Sequence, residues 1–189
     1  MSNVDETGSV KMMNGHTEGA GSTARCGAVV TPLGAVTIVA TGEAITGIYF
    51  SDQRHRPKDA ALGDHVDDDA LVDAAASQLV EYLAGDRTDF DLPVHTHGDA
   101  FHQAVWNALR GIPFGTTTTY GQVAAEIGMP QQAQRVGQAV GRNPVGIVIP
   151  CHRVIGADGS LTGYAGGLQR KRWLLELEEP KEIRASRLF

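Results

Sequence analysis

Cysteine is scarce in this chain: Cys26 and Cys151 are the only two among 189 residues. Two cysteines cannot build a disulfide framework, and without any C-x-x-C pair the usual structural-zinc signature is missing. Seven histidines are scattered along the sequence. His95-Thr96-His97 is a faint metal hint that reads better as a solvated linker. Long apolar runs are lacking too. None approaches the ~18 residues that a membrane helix needs, and the N-terminus lacks the basic-then-apolar layout of a signal peptide. A cytoplasmic protein is the expectation.

An excess of positive charge is also missing. The formal net charge is −6, the wrong sign for gripping a polyanion, but the charge is unevenly spread. Residues 1–97 carry 6 Lys/Arg against 15 Asp/Glu, residues 98–179 carry 7 against 6, and the last ten carry 3 against 1. The C-terminal half is therefore neutral to slightly basic. It is free to approach nucleic acid through a small footprint, with few phosphate contacts and modest salt dependence. The length suits one domain or two small ones sharing an interface. A hydrophobic content of 42% is ordinary for a globular protein.

What the chain does have is Asn143-Pro144-Val145-Gly146-Ile147-Val148-Ile149-Pro150-Cys151-His152-Arg153-Val154. The β-branched run Ile147-Val148-Ile149 predicts a buried strand, which Pro150 stops. A cysteine, a histidine and an arginine follow at once. A thiol is a poor nucleophile until it loses its proton, and cationic or basic neighbours lower its pKa. The pattern thus predicts an activated thiol at the end of a rigid strand, beside its own base. A buried, inert cysteine would need neither the proline nor the His-Arg pair.

Along the chain, residues 1–24 are polar and read as a disordered leader. From Cys26 to Phe50, short β-rich runs broken at Thr31-Pro32-Leu33-Gly34 and Thr41-Gly42-Glu43 predict a hairpin or a three-stranded meander. Residues 51–67 read as a loop. Asp68-Asp69 opens a helix with Leu71, Ala75, Leu79 and Leu83 inward, ended by Gly85. Asp89 to Pro93 resembles one more short strand. This half reads as a small α/β scaffold without a catalytic set.

After a polar linker at 94–99, Asp99 caps a helix through Arg110, with Phe101, Val105, Ala108 and Leu109 inward and Trp106 in the core. Thr119, with Gln122 at the capping-box offset, starts a short helix. Gly128-Met129-Pro130 breaks it, and a second helix runs from about Gln131 to Val140. Val136 and Val140 face inward, while Gln134, Arg135 and Gln138 face out. Arg142, just beyond, is placed to reach a phosphate. The glycine-dense run Leu161 to Gly167 holds one aromatic, Tyr164, and can wrap a flat ligand closely. A last helix from Leu168 to Glu178 buries Trp173, Leu174 and Leu177 and exposes Lys171 and Arg172. Glu178 near its end opposes the helix dipole unless a partner holds it.

Pro150-Cys151-His152-Arg153-Val154, followed by Ile155-Gly156, resembles the active-site motif of the O6-alkylguanine-DNA alkyltransferases, and the likeness runs from about Phe101 to Glu178. The resemblance implies a small ribonuclease-H-like α/β domain, antiparallel sheet plus helix, over 25–97. It further implies a mostly α, winged-helix-like domain with a helix-turn-helix over 98–180, and a tail at 181–189. It implies a suicide DNA repair protein acting on double-stranded DNA. The protein would flip the damaged nucleotide and move the alkyl group of O6-alkylguanine, and less readily of O4-alkylthymine, onto Cys151.

In that reading His152 deprotonates Cys151 through a water, and Glu178 orients the imidazole. Tyr120 presses on the target phosphate, bonds the flipped base and donates a proton to it. Asn143 ties the recognition helix to the active-site strand. The carbonyls of Cys151 and Val154 read the guanine amino group, the Ala165 N–H faces the guanine oxygen, Tyr164 lines the pocket and Arg153 braces the site. Gln138 and Arg142 are further DNA-facing candidates. No cofactor and no metal are implied, because the zinc ligands of some animal members have no match. A monomer is expected, with cooperative loading on DNA left open.

One position departs from the family. An arginine usually stands two residues before the Val-Gly of the recognition helix and fills the gap left by the flipped base. Gln134 occupies that position here, and Arg135 follows it. One residue is a rotation of roughly 100° on a helix. Either Arg135 reaches the stack after a local adjustment, which its longer reach favours, or Gln134 serves as a weaker plug. The other readings are a module that only flags alkylated guanine, a helix-turn-helix regulator and a cysteine hydrolase. The flagging proteins lack the acceptor cysteine that is present here. A regulator would need more basic residues and a dimer interface, and a hydrolase would need an oxyanion hole and turnover.

Overall fold

The computed structural model describes residues 23–180. The leader, apart from its last two residues, and the tail at 181–189 lie outside the described residues. The meander forms as the β-branched runs predict. β1 (Ala24–Thr31), β2 (Gly34–Thr41) and β3 (Ala44–Phe50) pair antiparallel in sequence. Gly42 takes the left-handed φ of 59° that the tight β2–β3 turn requires. The stretch read as a loop contributes β4 (Asp64–His65), parallel to β1, so the sheet order is β3-β2-β1-β4.

Helix α1 (Ala70–Ala84) lies on this sheet. Asp69 caps it by accepting from the Leu71 and Val72 N–H groups, and Gly85 closes it at φ 83°. Val72, Ala75, Leu79, Tyr82 and Leu83 are its buried residues, so Val72 takes the place expected of Leu71, which is only half-buried. The strand expected at Asp89–Pro93 does not form. Asp91 instead gives its backbone N–H and C=O to the Gln78 side chain, and the pairing with Ile45 is made by the Pro93 carbonyl and the His95 N–H. The linker is not uniformly solvated, since Thr96 is buried and bonded to Gln103.

The second half begins with α2 (Ala100–Arg110), capped by Asp99. Then come β5 (Thr118–Thr119), α3 (Tyr120–Glu126), α4 (Ala133–Gly141), β6 (Val154–Ile155) and α5 (Leu168–Glu178). The capping box of α3 is complete: the Thr119 side chain accepts from the Gln122 N–H, and the Gln122 side chain accepts from the Thr119 N–H. Pro130–Gln132 form a 3-10 turn that feeds α4, so the second helix starts two residues later than its sequence suggests. β5 and β6 pair parallel, a small sheet that no run of apolar residues announced. The Trp106 indole donates to the Ala139 carbonyl at 2.9 Å and ties α2 to α4. One continuous apolar cluster runs from Val36 and Ile38 of the sheet to Val136, Ile149 and Leu174, so the two halves share a core.

The motif segment itself is not the strand expected. Val145 and Gly146 only touch the edge of β3, where Ile48 donates to the Pro144 carbonyl at 2.9 Å and accepts from Gly146 at 3.3 Å. The backbone then turns at Ile147, which has a φ of 70°. Continuous extension would put alternate side chains on opposite faces. Ile147 and Ile149 are both buried, each 1% exposed, with Val148 half-buried between them, so that alternation survives. What the turn removes is the strand pairing, since the Val148 N–H bonds Gly146 and the Ile149 N–H bonds Val145. A left-handed β-branched residue costs on the order of 1–3 kcal/mol, and this one is held by the Asn143 side chain. Asn143 Nδ2 donates to the Ile149 carbonyl at 2.8 Å, and its Oδ1 accepts from the Val145 N–H at 3.0 Å. An Asn143→Ala substitution is therefore expected to cost about 1–3 kcal/mol, since both partners are left buried. Denaturant unfolding reads this directly, and a loss below about 0.5 kcal/mol would mean the turn holds itself.

Candidate active site

The clamped turn delivers Cys151–Arg153 as a single 3-10 turn packed against α5. Its short pitch puts His152 and Arg153 on Glu178, the last residue of that helix. All four are buried: Cys151 is 5% exposed, His152 0%, Arg153 7% and Glu178 3%. Nε2 of His152 lies 2.6 Å from Glu178 Oε1, and a carboxylate can only accept. The hydrogen therefore sits on Nε2 and the lone pair on Nδ1, which is buried and finds no partner among the described residues. That free Nδ1 is the arrangement a general base requires.

The partner that Glu178 needed at the helix end is a set of them. Arg153 donates from Nε at 2.9 Å and from Nη2 at 3.1 Å, the Gly115 N–H donates at 3.1 Å, and the Tyr82 hydroxyl donates as well. Burial by itself would raise the carboxyl pKa. The bond and charge of His152, with Arg153 and Tyr82, overcome it and hold the group down at about 2. His152 is pushed the other way, below its ordinary value by burial, with Glu178 opposing. It is thus neutral near pH 7.

Burial also raises the Cys151 thiol. This departs from the sequence reading, which expected neighbouring cations to lower it. The Asn143 side chain, Lys171 and nearby backbone N–H groups pull downward but do not prevail. The resting sulfur is a protonated thiol awaiting a base.

Lys171, expected on the surface, is fully buried. Its Nζ donates to the Val154 carbonyl at 2.5 Å and the Thr162 carbonyl at 2.6 Å, joining the active-site turn to the glycine-rich loop. Burial lowers its pKa to about 8. The sequence hid this because lysine on an amphipathic helix normally faces water. Trp173 and Leu177, expected inside, are only half-buried. Arg153 gives its remaining Nη1 to the Ile112 carbonyl at 2.5 Å, so it braces the charged cluster and does not face the surface.

Outside this cluster lies a cleft of about 700 Å³. Gln134 and Gln138 reach it from α4, Arg142 from just past the end of that helix, Tyr120 from the start of α3, and Tyr164 and Ala165 from the glycine-rich loop. The Tyr120 hydroxyl donates to the Thr162 carbonyl at 2.9 Å. Tyr120 and Tyr164 both lie near enough to Cys151 for its charge to raise them, after burial as the main cause. Gly137 brings α4 close, and a Cβ there would already sit 3.6 Å from the Tyr120 ring. Arg135 is turned elsewhere. Its guanidinium lies 3.9 Å over the Phe101 ring and bonds Gln132, so of the two candidates Gln134 is the one at the cleft. Arg54 and His55, in the segment between β3 and β4, also line the cleft. The Arg54 N–H bonds the Ala165 carbonyl at 2.9 Å.

Nucleophilic cysteines and helix-turn-helix readers usually belong to different molecules. Here one cleft has the second on its wall and the first close behind, which defines a protein that brings thiol chemistry to DNA. Comparison with known proteins agrees. The DNA-binding domain of 6-O-methylguanine DNA methyltransferase matches residues 100–180, and the ribonuclease-like domain of the same protein matches residues 24–96. The methylated-DNA–protein-cysteine methyltransferase of Mycobacterium bovis is 43% identical over 151 residues, covering 80% of this chain and 90% of that one. That of Methanosarcina acetivorans is 40% identical over 148 residues, covering 78% and 94%. The crystal structure of Mycobacterium tuberculosis OGT in complex with DNA superposes with a TM-score of 0.76 at 42% identity, over 82% of this chain and 92% of that one. The chain belongs to the methylated-DNA–protein-cysteine methyltransferase family. It has that family's two-domain fold, a small sheet domain followed by a helical DNA-binding domain.

Proposed function

We propose that the protein repairs double-stranded DNA directly, by moving the alkyl group of O6-alkylguanine onto Cys151 once and irreversibly. The observation that carries this is the buried thiol beside a neutral histidine whose Nδ1 is free and whose Nε2 is held by Glu178. A base inside the stack cannot reach a thiol behind this cleft, so the nucleotide must rotate out. His152 then takes the thiol proton, the sulfur attacks the O-alkyl carbon, the S–C bond forms and the C–O bond breaks. Tyr120 donates a proton to the departing base, which leaves as neutral guanine. Asn143 holds the turn that presents Cys151, the Cys151 and Val154 carbonyls and the Ala165 N–H read the base, and Tyr164 lines its pocket. The thioether is stable, so the protein does not turn over. It works as a cytoplasmic monomer, without metal or cofactor.

Against a duplex with one O6-methylguanine, restored guanine is expected to plateau at one equivalent per chain. Conversion continuing past one equivalent, or tight binding with no conversion, would contradict the proposal. Gln134 fills the stack behind the flipped base, with Gln138 and Arg142 beside it. Gln134→Ala is accordingly expected to weaken binding to the lesion duplex about three- to tenfold, the worth of one or two polar contacts. Arg135→Ala leaves binding within about twofold. The reverse ranking in a titration of labelled duplex would return the role to Arg135.

A further inference from the structure

We infer that Tyr82 is a positioning residue of the transfer reaction, which sets the basicity of His152 through Glu178 and so makes the N-terminal domain part of the proton relay. The inference rests on the alkyl-transfer reading for its chemical meaning, but the geometry stands alone. Tyr82 comes from α1, on the sheet side of the molecule, and its ring is 0% exposed. It packs against Phe90 and Phe114, with centroids at 5.0 and 6.0 Å. Its hydroxyl donates to Glu178 Oε1, the same oxygen that receives the His152 Nε2 hydrogen, and lies 3.4 Å from Nε2 itself. Packing alone explains a phenylalanine at this position. It does not explain a hydroxyl placed on the carboxylate oxygen that the imidazole uses.

Every charged group around the pair acts in a defined direction. Glu178 stabilises the imidazolium, while Arg153 and Lys171 oppose it. The Tyr164 phenol feels both Cys151 and Tyr82. Burial and then the Glu178 charge push the Tyr82 phenol well above its ordinary value, so it remains a neutral donor at every working pH. A donor on Oε1 drains negative potential from the atom facing His152. Its removal leaves a stronger acceptor and raises the imidazole pKa. In the resting protein, where the thiol is protonated and His152 is neutral, the rate of transfer falls as His152 protonates. The acid limb of the rate–pH profile then reports that same pKa.

The test uses Tyr82→Phe, which keeps the ring and removes only the hydroxyl, and Phe90→Leu, which loosens the ring and keeps the hydroxyl. His152 is titrated by NMR in the DNA-free full chain, and single-turnover transfer is measured against pH. In Tyr82→Phe the His152 pKa and the acid limb are both expected to move up by about half a unit or more. In Phe90→Leu the melting temperature falls while both stay in place. An unchanged or lowered His152 pKa in Tyr82→Phe, or the same upward shift in Phe90→Leu, would overturn the inference. A raised imidazole pKa in a protein that transfers no alkyl group would sustain the control of His152 by Tyr82 through Glu178 and remove the alkyl-transfer reading instead.

Discussion

Glu178→Ala is expected to lower the free energy of unfolding by about 3–5 kcal/mol near neutral pH, because it leaves the buried Arg153 guanidinium without its counter-charge. Five hydrogen bonds converge on this one carboxylate, from Tyr82, His152, Gly115 and, twice, Arg153. Among the described residues, the Ile112 carbonyl is the one hydrogen-bond partner left to Arg153 once it is gone. Glu178→Gln keeps the shape and loses less. The effect carries a pH signature. A carboxyl held at about 2 in the fold, against 4.5 when unperturbed, stabilises fully above the unfolded value. That contribution is lost as pH falls from there through about 2. Wild-type and Glu178→Ala stabilities therefore converge on acidification. Urea titrations at several pH values measure this, and a gap that stays constant down to pH 3 would show that Glu178 acts by packing alone.

His152→Ala is expected to slow single-turnover transfer by about 10²–10⁴-fold, the usual worth of a positioned general base. The reason lies in the thiol. With Cys151 raised by burial, the thiolate is scarce at neutral pH unless something removes the proton. The residual rate in the variant should climb with pH, as spontaneous ionisation replaces the missing base, while wild type levels off. Binding to the lesion duplex should change little, since His152 is fully buried and lies outside the cleft. A variant within about threefold of wild type would mean that another group takes the proton.

Much of this was legible in the chain, because local chemistry and tertiary structure agree there. The meander follows from alternating β-branched residues and its glycine turn, and α1, α2 and α3 begin at Asp69, Asp99 and Thr119 because those side chains satisfy free N–H groups. Cys151 and His152 were legible from the motif, and Glu178 as the partner of His152 only through the family resemblance. The misreadings arise where tertiary contacts override local preference. Ile147-Val148-Ile149 has the composition of a strand and keeps its in-and-out burial, yet the Asn143 side chain clamps it into a left-handed turn. Lys171 looks like a solvated helix residue until two carbonyls capture its ammonium in the interior. Tyr82 is absent from the inward stripe of Leu71, Ala75, Leu79 and Leu83 that the spacing suggests, and nothing in the sequence shows that its hydroxyl reaches Glu178. The partners of Arg135 and Gln134 depend on a rotation of α4 that no spacing reveals, and the resemblance left that choice open.

The chain carries its own control for the central claim, since it holds two thiols in different settings. Cys26 sits half-buried on the sheet, with its sulfur 3.7 Å from the Gly63 carbonyl and far along the chain from any base of the site. After incubation with duplex DNA bearing one O6-methylguanine, the protein is digested and the two cysteine peptides are weighed. The Cys151 peptide is predicted to gain the mass of one methylene, in step with loss of the lesion and up to one equivalent, while the Cys26 peptide stays unchanged. A gain on Cys26, or lesion loss with neither peptide altered, would contradict the account.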